Sequence, residues 1–123
     1  MTIDFTLTAE QKALQGAARE FAAKVLTKVK PAMSGLARQE ERFFATRPFY
    51  REMVKAGFAA ALIPREYGGG GATTLDFAIA GEEFTTVDVN VPSTLLASGL
   101  GLEPLLRFCT EEQKRRFLPD CAS

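Results

Sequence analysis

The sequence predicts an all-α fold, a bundle of five or six helices around one core. Three observations carry this prediction. Apolar residues recur at three- and four-residue steps in several segments, which places them on single helix faces. Capping signals precede these segments, and glycine or proline follows them. No segment shows the alternation or β-branched enrichment of strands. With 123 residues, 46% of them hydrophobic, the chain can bury one core and is short for two, so residues 1–123 are read as a single helical domain.

The first helix begins at Thr8-Ala9-Glu10-Gln11, which has the form of a capping box. Leu14, Ala17, Ala18, Phe21, Ala22, Val25, Leu26 and Val29 fall on one face, with Gln15, Arg19 and Lys24 away from it, and Pro31 ends the run. Residues 31–46 carry Ser34, Gly35 and mixed charge without a sustained period, and read as a loop with one turn of helix. A second helix is expected from Pro48 to Ala56, with Thr46 near its cap and Gly57 at a left-handed stop. Phe49, Met53, Val54 and Phe58 form its buried side.

From Ala59 to Gly71 an apolar run meets Pro64 and then four glycines, so the chain turns irregularly. A P-loop would need Gly-Lys-Ser/Thr at its end, and a dinucleotide fold a preceding strand with Gly-x-Gly-x-x-Gly; neither is present. These glycines are read as permitting a tight connection. Thr73 or Thr74 caps a third helix through Leu75, Ala78, Ile79 and Phe84, with Asp76 complementing its dipole. Asn90 caps a fourth, with Pro92 in its first turn and Leu95, Leu96 and Leu100 as its apolar face. Gly99, Gly101 and Pro104 imply a kink or end near Gly101, or a close approach of another backbone. Thr110-Glu111-Glu112-Gln113 is a second capping box. It opens a fifth helix that points Phe117, Leu118 and Cys121 inward, with Glu111–Arg115 and Glu112–Arg116 spaced as ion pairs.

Composition excludes several functions. Fifteen basic residues offset fifteen acidic ones, so no net field draws the chain to nucleic acid or an anionic membrane. The start Met1-Thr2-Ile3-Asp4-Phe5-Thr6 lacks a secretory pattern, and no apolar run approaches a membrane span of roughly 20 residues. Cys109 and Cys121 are too dispersed for a redox motif and too few for a disulfide scaffold, which fits reduced thiols in the cytoplasm. Histidine is absent, which removes the commonest general base and metal ligand. Glu82 and Glu83 point about 100° apart on a helix, so one is read as solvated and the other as hydrogen-bonded and partly buried. Ser93 and Ser98 lack a base and a nucleophile elbow. Lys114-Arg115-Arg116 reads as a solvated face.

Taken in order, these features resemble the N-terminal domain of acyl-CoA dehydrogenases over nearly the whole chain. The resemblance opens with Leu7-Thr8-Ala9-Glu10-Gln11 leading into Arg19-Glu20-Phe21-Ala22. It continues with Met53-Val54-Lys55-Ala56-Gly57-Phe58, Ile63-Pro64-Arg65-Glu66-Tyr67-Gly68-Gly69 and Glu82-Glu83-Phe84. It closes with Thr110-Glu111-Glu112-Gln113-Lys114 followed by Phe117-Leu118-Pro119. Such enzymes have a helical N-terminal domain, a middle β-domain and a C-terminal helical domain, and use FAD to oxidise an acyl-CoA thioester between Cα and Cβ. The resemblance implies that most flavin contacts, and the glutamate that removes the α-proton, come from the other two parts. No catalytic role is therefore assigned to Glu82, Glu83 or any other residue here, and the isolated chain is expected to be colourless and inactive.

In such enzymes the N-terminal domain supplies part of the acyl-cavity wall. Aligning on Leu100-Gly101 and Pro104 puts Pro92, Ser93 and Leu96 at wall positions and Leu102 further along, with ordinary core roles for Leu96 and Leu102 left open. The expected partners are the remaining domains or chains of the enzyme and, in the complete enzyme, acyl-CoA. A second copy is a further expected partner, through an apolar side of the fourth helix bearing Pro92, Ser93 and Leu96. The same fold serves flavin monooxygenases and nitroalkane oxidases, and a non-catalytic helical interaction module is a third reading.

Overall fold

The computed structural model describes residues 4–123; Met1 to Ile3, on which part of the leader reading falls, lie outside them. Among the described residues the elements are α-helical or 3₁₀, with no strand: α1 (Ala9–Lys24), α2 (Val29–Met33), α3 (Gln39–Lys55), α4 (Thr74–Thr85), α5 (Asn90–Phe108) and α6 (Glu111–Ala122), with 3₁₀ turns at Leu26–Lys28 and Arg65–Tyr67. None of these helices is long and apolar enough to cross a membrane.

Three helices start where the sequence places their caps. The Thr8, Thr73 and Thr110 hydroxyls accept from the amides of Gln11 (3.1 Å), Asp76 (3.2 Å) and Gln113 (3.3 Å). The side chains of the same three residues accept back from the threonine amides at 2.9 Å each. Each reciprocal pair satisfies two amides, at the helix end and its cap, that would otherwise lack a partner.

Elsewhere the structure corrects the sequence reading. The first helix does not run unbroken to Pro31. It ends at Lys24, tightens through the 3₁₀ turn and restarts as α2, which puts Pro31 in a first helical turn, where no amide is needed. Of the loop expected over residues 31–46, only 34–38 lie outside the helices, and the stretch from Gln39 to Pro48 is the first half of α3. Glu40 and Glu41 stand in its opening turn and complement the helix dipole. Thr46 is no cap; it is buried mid-helix with its hydroxyl donating to the Phe43 carbonyl at 2.6 Å. Pro48 is also internal to α3. It leaves the Phe44 carbonyl without a helical donor, and both residues are exposed, so water can serve instead. α5 runs without a break through Gly101.

Gly57, at φ 84°, ends α3 as expected. Its amide donates to Val54 O (2.9 Å) and that of Phe58 to Met53 O (3.1 Å), a paired closure that needs the left-handed residue. The glycine-rich connection is folded back on itself: the amides of Gly70, Gly71 and Ala72 donate to the carbonyls of Ala60, Ile63 and Ala61 at 3.0, 2.9 and 2.8 Å. A Cβ on Gly69 would lie 2.1 Å from the Ile63 carbonyl oxygen, so no other residue fits there.

The expected single core is two adjoining clusters. The larger joins Ala18, Ala22, Leu26, Val29, Met53, Phe84, Val91 and Leu95 from the first five helices and the turn after α1. At its centre, Phe21, Phe58 and Phe84 meet edge to face with ring centroids 4.8 to 5.8 Å apart. The smaller joins Ile63, Tyr67, Leu102 and Leu118, so the connection, the C-terminal half of α5 and α6 form their own lobe. Several residues expected inward lie outside: Val54, Leu75, Leu96, Leu100 and Phe117 are exposed, as are Ala17, Ala78 and Cys121. On each helix the buried neighbours Ala18, Met53, Ile79, Leu95 and Leu118 already fill the available core face.

Candidate functional site

α5 is the element on which the sequence-predicted site residues lie, and Asp88 fixes its start. The Asp88 amide donates to Phe84 O at 3.1 Å, tying it to the end of α4. Its carboxylate accepts from the Val91 amide at 2.9 Å and from the Asn90 side-chain amide at 2.8 Å. The expected cap, Asn90, is already the first helical residue, and the carboxylate two positions earlier takes the role. Pro92 then sits in the first turn, where its missing amide costs no bond.

One flank of α5 is built into the protein. Val91 and Leu95 enter the larger cluster and Leu102 the smaller. Ser98 Oγ donates to Thr94 O at 3.0 Å and stands 3.4 Å from the Tyr50 hydroxyl of α3. Gly99 leaves room for Leu62 and Phe77; a Cβ there would meet them at 3.2 and 3.4 Å. The other flank is open. Val89, Leu96, Leu100 and Phe108 are 58%, 38%, 77% and 84% exposed, with exposed Ser93 and Pro104 between them at one-turn steps. No charged residue occurs from Asn90 to Leu102; the first, Glu103, pairs with Arg107.

The four site residues divide between these flanks. Ser93 and Leu96 lie on the open side, whereas Pro92 and Leu102 are buried in the chain's own core. The expectation that Pro92 shares the open side is corrected here. Successive helix residues point about 100° apart, so Pro92 faces in when Ser93 faces out. Ser93 borders a surface cavity of about 380 Å³ with Arg42, Phe43 and Val89. Leu102 and Ser98 border another of about 320 Å³ with Tyr50 and Leu105.

Reactive groups do not converge. Among the described residues no cluster of acids and cysteines could hold a metal ion. Glu82 is exposed. Glu83, its side chain only 13% accessible, receives two hydrogen bonds of 2.9 Å from the Arg19 guanidinium, which holds its carboxyl below the usual range. The Tyr67 hydroxyl donates to Glu111 at 2.6 Å. This bond, with some burial, pushes the tyrosine up to about 12 and Glu111 down. On α6, Lys114 pairs with Glu111 at 3.4 Å and Arg116 lies 5.2 Å over the Phe117 ring. Neither expected pair, Glu111–Arg115 or Glu112–Arg116, forms among the described residues. Asp88, Arg19–Glu83 and Tyr67–Glu111 escaped sequence reasoning. Only Asp88 left a local signal, a good capping residue three positions before Val91; the other two join residues 64 and 44 positions apart. Among the described residues the arrangement offers an uncharged, largely apolar helix flank and no cluster of acids and cysteines that could hold a metal ion.

This arrangement is shared with known proteins, among them a flavoprotein, nitroalkane oxidase. Residues 8–123 match the family described as acyl-CoA dehydrogenase, N-terminal domain. Nitroalkane oxidase of Fusarium oxysporum is 35% identical over 94% of this chain and 26% of its own length. An acyl-CoA dehydrogenase of Bacillus subtilis is 30% identical over 95% of this chain and 30% of its own. A crystal structure of nitroalkane oxidase with spermine superposes with a TM-score of 0.92 at 35% identity, over 98% of this chain and 28% of that one. The chain thus spans between a quarter and a third of the length of these relatives. The match across nearly all of its helices establishes that the chain belongs to the acyl-CoA dehydrogenase N-terminal domain family.

Proposed function

We propose that the chain is the helical N-terminal domain of an FAD-dependent enzyme that oxidises acyl-CoA thioesters between Cα and Cβ, and that the open flank of α5 lines the acyl-chain cavity. One observation carries this reading: the flank from Val89 to Leu100 is exposed, largely apolar and uncharged, a surface suited to an acyl chain or an apolar partner. Ser93 and Leu96 are its wall residues, and Pro92 and Leu102 support it from behind. The glycine-rich connection spends its amides on its own carbonyls, which supports a reading in which the flavin and the proton-abstracting base are supplied by the other parts of the enzyme. Two free cysteines, one of them exposed, fit a reducing cytoplasm.

The higher identity to nitroalkane oxidase, 35% against 30% for the acyl-CoA dehydrogenase, favours a second reading, in which the parent enzyme oxidises a nitroalkane. The flavin-loaded protein that carries this domain decides between them. Bleaching of the flavin by acyl-CoA supports the first reading, bleaching by a nitroalkane the second, and bleaching by neither overturns both. In the first case Leu96→Asp is expected to raise KM for long acyl chains about tenfold or more while kcat changes little, because it places a charge against apolar ligand.

A further inference from the structure

We propose that the cavity beside Ser93 receives a carboxylate at the free end of the acyl chain, and that Arg42 recognises it. The proposal rests on the reading that α5's open flank lines the acyl cavity, and it names the substrate class for that flank. The flank changes character along its length. Leu96 and Leu100 are exposed and apolar, and one turn before Leu96, at Ser93, the surface opens into a cavity of about 380 Å³ between α3 and the start of α5. Ser93 and Leu100 are seven residues apart, about 10 Å along a helix, so an extended chain laid on the two leucines reaches the cavity. Its volume lies near the low end of the roughly 300–1,000 Å³ that hold a drug-sized ligand. That suits the end of a chain and is too small for the CoA group.

The cavity is apolar at Met33, Phe43 and Val89, yet it carries one charge, the Arg42 guanidinium, and no acid lines it. That cation is held in place and left without a counter-charge. Its Nε donates to the Leu36 carbonyl at 2.6 Å, which pins the side chain to the segment between α2 and α3. Its terminal nitrogens make no hydrogen bond or ion pair among the described residues. The neighbouring acids are engaged elsewhere. Glu40 pairs with Arg38, Glu41 accepts from the Arg38 amide at 3.4 Å, and buried Asp88 is spent on Val91 and Asn90. Gln39 and Asn90 bring side-chain amides to the same cavity, and Asn90 keeps one amide hydrogen beyond the one it gives Asp88. A guanidinium presents paired N–H groups at the spacing of the two oxygens of a carboxylate. A cation free of acids, flanked by neutral donors and reached over apolar surface, fits a chain with an apolar middle and an anionic end. A methyl end would strip water from the same groups and offer them no partner.

Steady-state kinetics of the flavin-loaded enzyme that carries this domain tests the proposal with two series of acyl-CoA thioesters of equal chain length, one ending in a methyl group and one in a carboxylate. The carboxylate series should show the higher kcat/KM, by about tenfold or more. Arg42→Gln should remove that preference mainly through KM, Arg42→Lys should keep part of it, and Arg42→Glu should reverse it. Circular dichroism and flavin content confirm that each variant is folded and loaded. Turnover of neither series overturns the acyl-CoA reading and this proposal with it. Turnover without a preference for the carboxylate, or with a preference that survives Arg42→Gln, overturns the role of Arg42 and leaves that reading standing. So does an Arg42→Gln loss that is equal for both series, which would place Arg42 on the CoA phosphates that all these thioesters share.

Discussion

The Asp88 carboxylate joins two helices at a point where neither could end cleanly alone, since its amide closes α4 while its oxygens open α5. It is 8% exposed, so removing the side chain leaves a buried amide without a partner. Asp88→Ala should cost about 1–2 kcal/mol in denaturant melts, and Asp88→Asn much less, because an amide oxygen can still accept from Val91. The Arg19–Glu83 pair makes stability depend on acid. Glu83 is held below its ordinary value of 4.5 by the guanidinium bonds, so the unfolded chain binds that proton more tightly than the folded one. The stabilisation is complete above the ordinary value and is lost as pH falls through the depressed one. Melting temperature should therefore drop as pH falls below the ordinary value of 4.5, and the drop should be shallower in Arg19→Gln. Tyr67 works in the opposite direction. Its pKa is raised to about 12 from an ordinary 10.0, so its contribution persists through pH 10.0 and fades as pH climbs toward 12. In a Tyr50→Phe variant, phenolate absorbance should rise with a midpoint near 12, and Glu111→Gln should bring that midpoint down.

At the scale of elements, what the sequence revealed was what neighbours along the chain decide. Thr8 and Thr110 were readable as caps because donor and acceptor lie three residues apart, and the structure decides for Thr73 where the sequence left Thr73 or Thr74 open. The stop at Gly57 was readable because one backbone conformation demands it. The start of α3 was not, because Pro48 and Thr46 look locally like a first turn and its cap, while the burial of Thr46 and Met53 that extends the helix back to Gln39 is set by distant partners. The candidate site divided in the same way. The family resemblance put Pro92, Ser93, Leu96 and Leu102 together as wall positions, but only packing reveals that Pro92 and Leu102 face inward. The glycine-rich connection yields the sharpest test at this scale. Gly69→Ala puts a carbon against the Ile63 carbonyl and should cost about 2 kcal/mol or more. Gly57→Ala meets only a positive φ of 84° with open space around it, and should cost about 1 kcal/mol.

For the molecule as a whole, two clusters in place of one imply two levels of cooperativity. Leu118 is fully buried in the smaller cluster. Leu118→Ala should destabilise by about 2–4 kcal/mol, with hydrogen exchange in α6 accelerating before that in α1. Phe84→Ala, at the aromatic centre of the larger cluster, should cost about 3–5 kcal/mol and accelerate exchange throughout, because α1, α3, α4 and α5 share that cluster. The bridge from Arg19 to Glu83, spanning 64 positions, also sets a timetable for synthesis. α1 ends at Lys24, and the helix it packs against begins at Thr74. At ribosomal speeds of roughly 5–20 residues per second, the inner face of α1 waits about 3–10 s for its partner to emerge. For that interval Ala18, Ala22 and Leu26 are a bare apolar stripe on a nascent chain, which makes this stretch a natural place for a ribosome-associated chaperone to hold.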